Sequence, residues 1–205
     1  MRIVVTHRSS IDRVGGVVTF MMELSEALIK MGHEVIILNF SNKCKPSELA
    51  ELYNVFKLPP IISLKKWEDR DYWPPRGSSL SDLMTWFTRG SKIISTLQPD
   101  IVIINGIVPL LKRRATTYIA VAHMVYPHVF GQGLNRLLLK ILYSQIPDRI
   151  VAITAREKYA LVKGVGIKEE KIEVIPLCLN VDKFNYVRAL NRKPILLHVG
   201  GHRGK

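Results

Sequence analysis

Hydrophobic positions along the chain follow two alternating rhythms. One is the short unbroken run: RIVV (Arg2–Val5), EVIILNF (Glu34–Phe40), IVII (Ile101–Ile104), TTYIAVAH ending at His123, DRIVAIT (Asp148–Thr154) and KIEVIPL (Lys171–Leu177). Such β-branched stretches predict strands buried on both faces. The other is the three- and four-residue step of an amphipathic helix. It predicts a first helix facing inward through Val17, Phe20, Met21, Leu24, Leu28 and Met31, with Gly32 as its stop. It predicts a second through Leu83, Phe87, Ile94 and Leu97, and a third through Leu134, Leu137, Leu138, Ile141 and Leu142. AREKYALVKGVG (Ala155–Gly166) gives a fourth, closed by glycine. Strand, loop and helix in repeated alternation predict an α/β fold, a doubly wound parallel sheet of Rossmann-like type.

In that architecture ligands sit at the carboxyl ends of the strands. The rule places Gly15, Gly16, Asn105, Gly106 and His123 along one edge. The paired glycine in RSSIDRVGGVVTF lies between the first strand and the first helix, where exposed N–H groups favour an anion. Glycine there suits either a close ligand approach or tight packing of helix on strand. Arg8 and Arg13 lie in the same loop. His128 follows His123 at a spacing that matches no helical metal pair or zinc motif. The loop lacks G-x-G-x-x-G, and Asn39 stands where a dinucleotide-binding fold carries an acid, which argues against an oxidoreductase.

Two regions depart from the rhythm. Residues 41 to 79 mix two Pro-Pro pairs with aromatics and predict a docked irregular excursion. After Cys178 a polar connector leads to PILLHVGGHRGK, a fresh strand with a glycine-rich turn. The expected organisation is therefore one domain over residues 1–190 and the opening of a second over 191–205.

The chain of 205 residues, 47% hydrophobic and 23% charged, has the balance of an ordinary globular domain. No apolar run approaches the length of a membrane span, and MRIVV has no secretory pattern, so a cytoplasmic protein is expected. Cys44 and Cys178 match no metal spacing and are expected to be free thiols; no metal is implied. Charge changes the picture more. A formal net charge of +13 implies a nucleic acid, an anionic membrane face or a phosphorylated small molecule as partner. No helix-turn-helix, zinc-finger or RNA-binding signature supports the first. Six basic residues against one acid between Asn105 and Ile150, with Trp67, Tyr72 and Trp73 in the irregular excursion, suit an anionic membrane surface at the inner face.

The ordered set GGVVTFMMELSEALIKMGHEVIIL, QPDIVIINGIVP and DRIVAITAREKYALVKGVGIKEEKIEVIPLCLNVDKF resembles the N-terminal half of family-four glycosyltransferases of the GT-B fold. Leu177-Cys178-Leu179 stands where the family usually has Asn-Gly-Ile or similar. The resemblance implies transfer of a sugar from a nucleotide-sugar donor to a glycan or lipid-linked acceptor, with retention and without an obligatory metal or other cofactor. It implies that Gly15 and Gly16 face the donor phosphates or sugar and that His123 lies beside the transferred sugar. Arg203 and Lys205 are the counterparts of the family's diphosphate-binding Arg and Lys, although Gly201 occupies the usual Arg position. Arg13, Asn105, Gly106 and His128 are the remaining cleft candidates. The family's catalytic glutamates belong to the second domain, so these 205 residues alone are expected to transfer nothing. The alternative is a non-catalytic α/β domain that binds a phosphorylated or anionic ligand.

Overall fold

β-Branched runs with no polar alternation become the centre of the sheet. In the computed structural model, which describes residues 1–7, 10–12, 15–41, 46–64, 80–106, 108–123 and 134–177, the strands are β1 (Arg2–His7), β2 (Glu34–Asn39), β3 (Ile61–Ser63), β4 (Ile101–Asn105), β5 (Thr117–Ala122), β6 (Arg149–Ala152) and β7 (Ile172–Val174). All pair in parallel, in the order β3-β2-β1-β4-β5-β6-β7. The chain runs outward from β1 to β3 and then returns to β4 on the other side of β1. The topological switch point, where α/β sheets open a crevice, thus lies between β1 and β4.

Helices cover both faces. On one lie α1 (Gly16–Lys30) and α2 (Pro46–Tyr53), packed on Ile3, Val5, Ile37, Ile103 and Val121. On the other lie α3 (Leu80–Thr85) and α4 (Ser91–Leu97), joined by a π-helical turn over Trp86–Gly90, against Val4, Leu38, Val102 and Ile104. The same face is covered further along by α5 (Leu134–Gln145) and by α6 (Ala155–Tyr159), which continues as a π turn to Val165.

The structure corrects three sequence expectations. In α1 the buried stripe is Val18, Met21, Met22, Ser25 and Glu26, while Phe20, Leu24 and Leu28 lie at its margin and Met31 is exposed. Two polar residues enter the stripe because their groups are paired. The Ser25 hydroxyl donates to the Met21 carbonyl at 2.8 Å, and Glu26 accepts the Phe56 amide at 2.9 Å. In the second predicted helix the π turn shifts the register, so Trp86 is fully buried and Phe87 faces out. In α5, Leu137 and Ile141 are exposed, and Leu142, Tyr143 and Ile146 make the inward contact. The irregular excursion also contains order that its composition hid. It supplies α2 and the edge strand β3, whose Ile61 and Ile62 pair with Ile37 and Leu38.

Candidate functional site

Three strand ends meet at the switch point. Register places His7, the last residue of β1, against Asn105, the last of β4, and Asn105 against Val121 of β5, two residues before His123. Pleating alternates successive side chains, so His7 and Asn105 share the α1 face with Ile103 and Val121. His7 Nδ1 lies 2.9 Å from the Asn105 carbonyl oxygen. A carbonyl only accepts, so Nδ1 carries the proton and the ring orientation is set.

Asn105 is completely buried. Its amide Nδ2 donates to the Thr6 carbonyl at 3.4 Å, and its Oδ1 has no partner among the described residues. His123 packs edge-on against Phe20 of α1, with ring centroids 5.6 Å apart at 64°. Its Nε2 is likewise buried without a partner among the described residues. Burial first, and then the neighbouring His7, push the His123 pKa down to about 4, so its ring is neutral at physiological pH. Leaving a buried polar atom unmade costs roughly 1–3 kcal/mol. Two such atoms at one strand edge call for an explanation.

Gly106 follows at φ +88°, and its amide donates to the Val121 carbonyl at 2.9 Å. This turn needs glycine. Gly106→Ala is expected to cost about 1–2 kcal/mol through the left-handed backbone, read as a lower urea midpoint.

The glycine pair behaves differently. Gly15 caps α1 with φ −168°, an extended backbone open to any residue, and its carbonyl accepts the Thr19 amide at 2.9 Å. Among the described residues a Cβ built on Gly15 or Gly16 meets nothing within 4 Å. Neither backbone strain nor tight helix packing therefore requires these glycines, which removes the packing explanation. Among the described residues the first turn of α1 has no side-chain cap, and it holds no acidic residue. Its N–H groups are left for solvent or for an anion, and the missing side chains leave close approach unobstructed.

The loop that leads there is anchored. Ile11 is fully buried; its amide donates to the Phe40 carbonyl at 3.2 Å and its carbonyl accepts the Tyr53 hydroxyl at 2.9 Å. Ser41 Oγ donates to Asp12 Oδ1 at 2.6 Å. Burial and Asp12 push the Tyr53 pKa up to about 12, so it remains a donor. The end of β2 and the end of α2 thus hold the approach to Gly15.

Of the sequence candidates, the structure brings Asn105, Gly106 and His123 to one edge and opens Gly15 and Gly16 at the start of α1. Arg13, His128, Arg203 and Lys205, with Arg8, lie outside the described residues. The sequence reading missed His7 and the anchor formed by Ile11, Asp12, Ser41 and Tyr53. His7 had a signal, a histidine closing the first hydrophobic run; the anchor spans distant residues and had none. Among the described residues no group of three or more His, Cys, Asp or Glu side chains could hold a metal.

A sequence profile for Glycosyltransferase Family 4 matches residues 14–183. No curated protein sequence matches the chain. Among solved structures, sucrose-phosphate synthase from Thermosynechococcus elongatus aligns with a TM-score of 0.65 at 12% identity, over 90% of this chain and 50% of its own. HepE from Anabaena, in complex with UDP-glucose, aligns with a TM-score of 0.57 at 14% identity, over 89% of this chain and 45% of its own. UDP-N-acetylglucosamine 2-epimerase from Rickettsia bellii aligns with a TM-score of 0.56 at 14% identity, over 85% and 44%. This chain spans about half the length of these structures. At such identities the likeness is one of fold, and that fold serves transferases and epimerases alike.

Proposed function

The chain belongs to Glycosyltransferase Family 4, and from that premise we propose that it is the acceptor-side half of an enzyme that transfers a sugar from a nucleotide-sugar to a glycan or lipid-linked acceptor, with retention and without an obligatory metal. The single observation that carries this reading is the pair of buried, unpartnered atoms, Asn105 Oδ1 and His123 Nε2, on strands that end beside the switch point whose first loop leads to α1. Each element suits one part of such a substrate. The capless start of α1, cleared by Gly15 and Gly16, suits a diphosphate, whose charge grows as it leaves. Asn105 Oδ1 can only accept, so it suits a sugar hydroxyl. Neutral His123 can donate or accept through Nε2 according to tautomer, and in its neutral form it does not repel a sugar ring that gains positive character. The same proposal assigns Arg203 and Lys205 to the diphosphate, and Arg13, Gly106 and His128 to the cleft; of these only Gly106 lies among the described residues. The domain division at residue 190 belongs to the same proposal.

The test is amide and histidine-ring NMR of the 205-residue chain titrated with UDP-glucose and GDP-mannose. Weak binding is expected, with shifts at Gly15, Gly16, Gly106 and His123. Gly16→Val, which fills the open space at unchanged thermal midpoint, is expected to weaken those shifts at least about tenfold, the loss of roughly 1.4 kcal/mol. Shifts confined to other parts of the sheet, or none at millimolar ligand, defeat the assignment. The chain alone is expected to release no nucleoside diphosphate from either donor. Steady turnover would overturn the half-site reading.

A further inference from the structure

The helices on the two faces of the sheet differ in charge. α1 and α2 carry Glu23, Glu26, Glu48 and Glu51 against Lys30. The opposite face, from α3 across the β4–β5 connection to α5, exposes Arg89, Lys92, Arg114 and Lys140, besides Lys112, whose charge is balanced by Asp148. The acids there present little charge outward: Asp82 is buried, and Asp148, just before β6, is tied to Lys112. Among the described residues the same face also shows large apolar side chains that the core does not use, namely Met84, Phe87, Leu111, Leu137 and Ile141, from 41% to 55% exposed. Their placement follows from the packing. The π turn gives Trp86 to the core and sends Phe87 outward. In α5, Leu142 and Tyr143 take the inward side and leave Leu137 and Ile141 one turn apart on the outer side, with Lys140 next to Ile141. Exposed apolar residues also occur on the acidic face, but Phe56 there lies beneath Lys30 at 5.7 Å, and its amide is held by Glu26.

We propose that the basic face docks peripherally on an anionic lipid bilayer. Lys and Arg meet the headgroup phosphates while Phe87, Leu111, Leu137 and Ile141 enter the interfacial layer. Among the described residues no helix is long and apolar enough to cross a membrane, so attachment is to the surface. A two-fold pair of copies joined through this face fits poorly, because the face would meet its own positive charge. Single-stranded nucleic acid fits poorly as well: bases stack on aromatic platforms, and the exposed apolar side chains here are mostly aliphatic. The candidate site lies along the carboxyl edge of the sheet rather than on this face, so docking leaves it open. The proposal stands independently of the transfer reaction.

The test is sedimentation of the 205-residue chain with phosphatidylcholine vesicles, with and without phosphatidylglycerol, at low and high salt. At low salt at least about fivefold more protein is expected on the anionic vesicles, with most of the excess lost at high salt. Leu137→Ser with Ile141→Ser is expected to remove most of the binding at unchanged thermal midpoint, as is Lys92→Glu with Arg114→Glu. Equal binding to both vesicle types overturns the proposal. So does undiminished binding by the serine pair, which would reduce the effect to charge alone. Self-association seen by light scattering and abolished by the serine pair would assign the face to a second copy instead.

Discussion

Trp86→Ala is expected to destabilise the fold by about 3 kcal/mol, a fall of roughly 10 °C in thermal midpoint for a domain of this size. Among the described residues Trp86 is the largest fully buried side chain, packed edge-on against Phe40 with ring centroids 5.6 Å apart at 75°. Its site is shaped to the ring: a Cβ on Gly90 would come within 2.9 Å of Trp86 Cε3. Truncating a buried Trp costs about 3–5 kcal/mol. The lower end is chosen because Trp86 Nε1 is buried without a partner among the described residues, and deleting it relieves a desolvation cost. Trp86→Phe separates the two contributions. It keeps most of the volume and removes the orphan N–H, so it is expected to lose less than about 1.5 kcal/mol. A Phe variant as unstable as the Ala variant would show that the indole N–H is satisfied after all. The consequence reaches the site through Phe40, whose carbonyl receives the Ile11 amide that anchors the loop to Gly15.

Trp86 also marks where sequence patterning stops. An unbroken run such as IVII states that a segment is buried on both faces, and β1, β2, β4, β5 and β6 follow from it with the sheet they build. Helical periodicity states that one side faces inward but fixes which side only while the pitch is constant. The π turn at Trp86–Gly90 changes that pitch, so a tally at three- and four-residue steps selects Phe87 and passes over Trp86. Composition misled at Ser25 and Glu26: the Ser25 hydroxyl is satisfied within α1 by the Met21 carbonyl, and Glu26 by the amide of Phe56, 30 residues on. At the site the same division holds. His123, Asn105 and Gly106 were legible because each closes a hydrophobic run. Tyr53 was not, because its partner Ile11 lies 42 residues away, and no local pattern records a hydrogen bond of that range.

Between pH 6.5 and 4 the domain is expected to lose about 2 kcal/mol of stability through His123 alone. In the unfolded chain this ring protonates near its ordinary value of 6.5, whereas in the fold its pKa is lowered to about 4 by burial and by His7. Above pH 6.5 both states hold a neutral ring and the full contribution is present. As the pH falls through this window the unfolded chain takes up a proton that the fold refuses, and stability drops until the native ring also protonates near 4. The full linkage would exceed 3 kcal/mol; partial exposure of the ring lowers the expected figure. Urea midpoints at both ends of the window measure the loss. His123→Gln, which cannot titrate, should reduce it by the same amount. Equal losses in parent and variant would place the acid sensitivity elsewhere. The same experiment bears on the chemistry. Under the proposed function, a ring that stays neutral at physiological pH would offer the sugar a hydrogen bond rather than offer the diphosphate a charge.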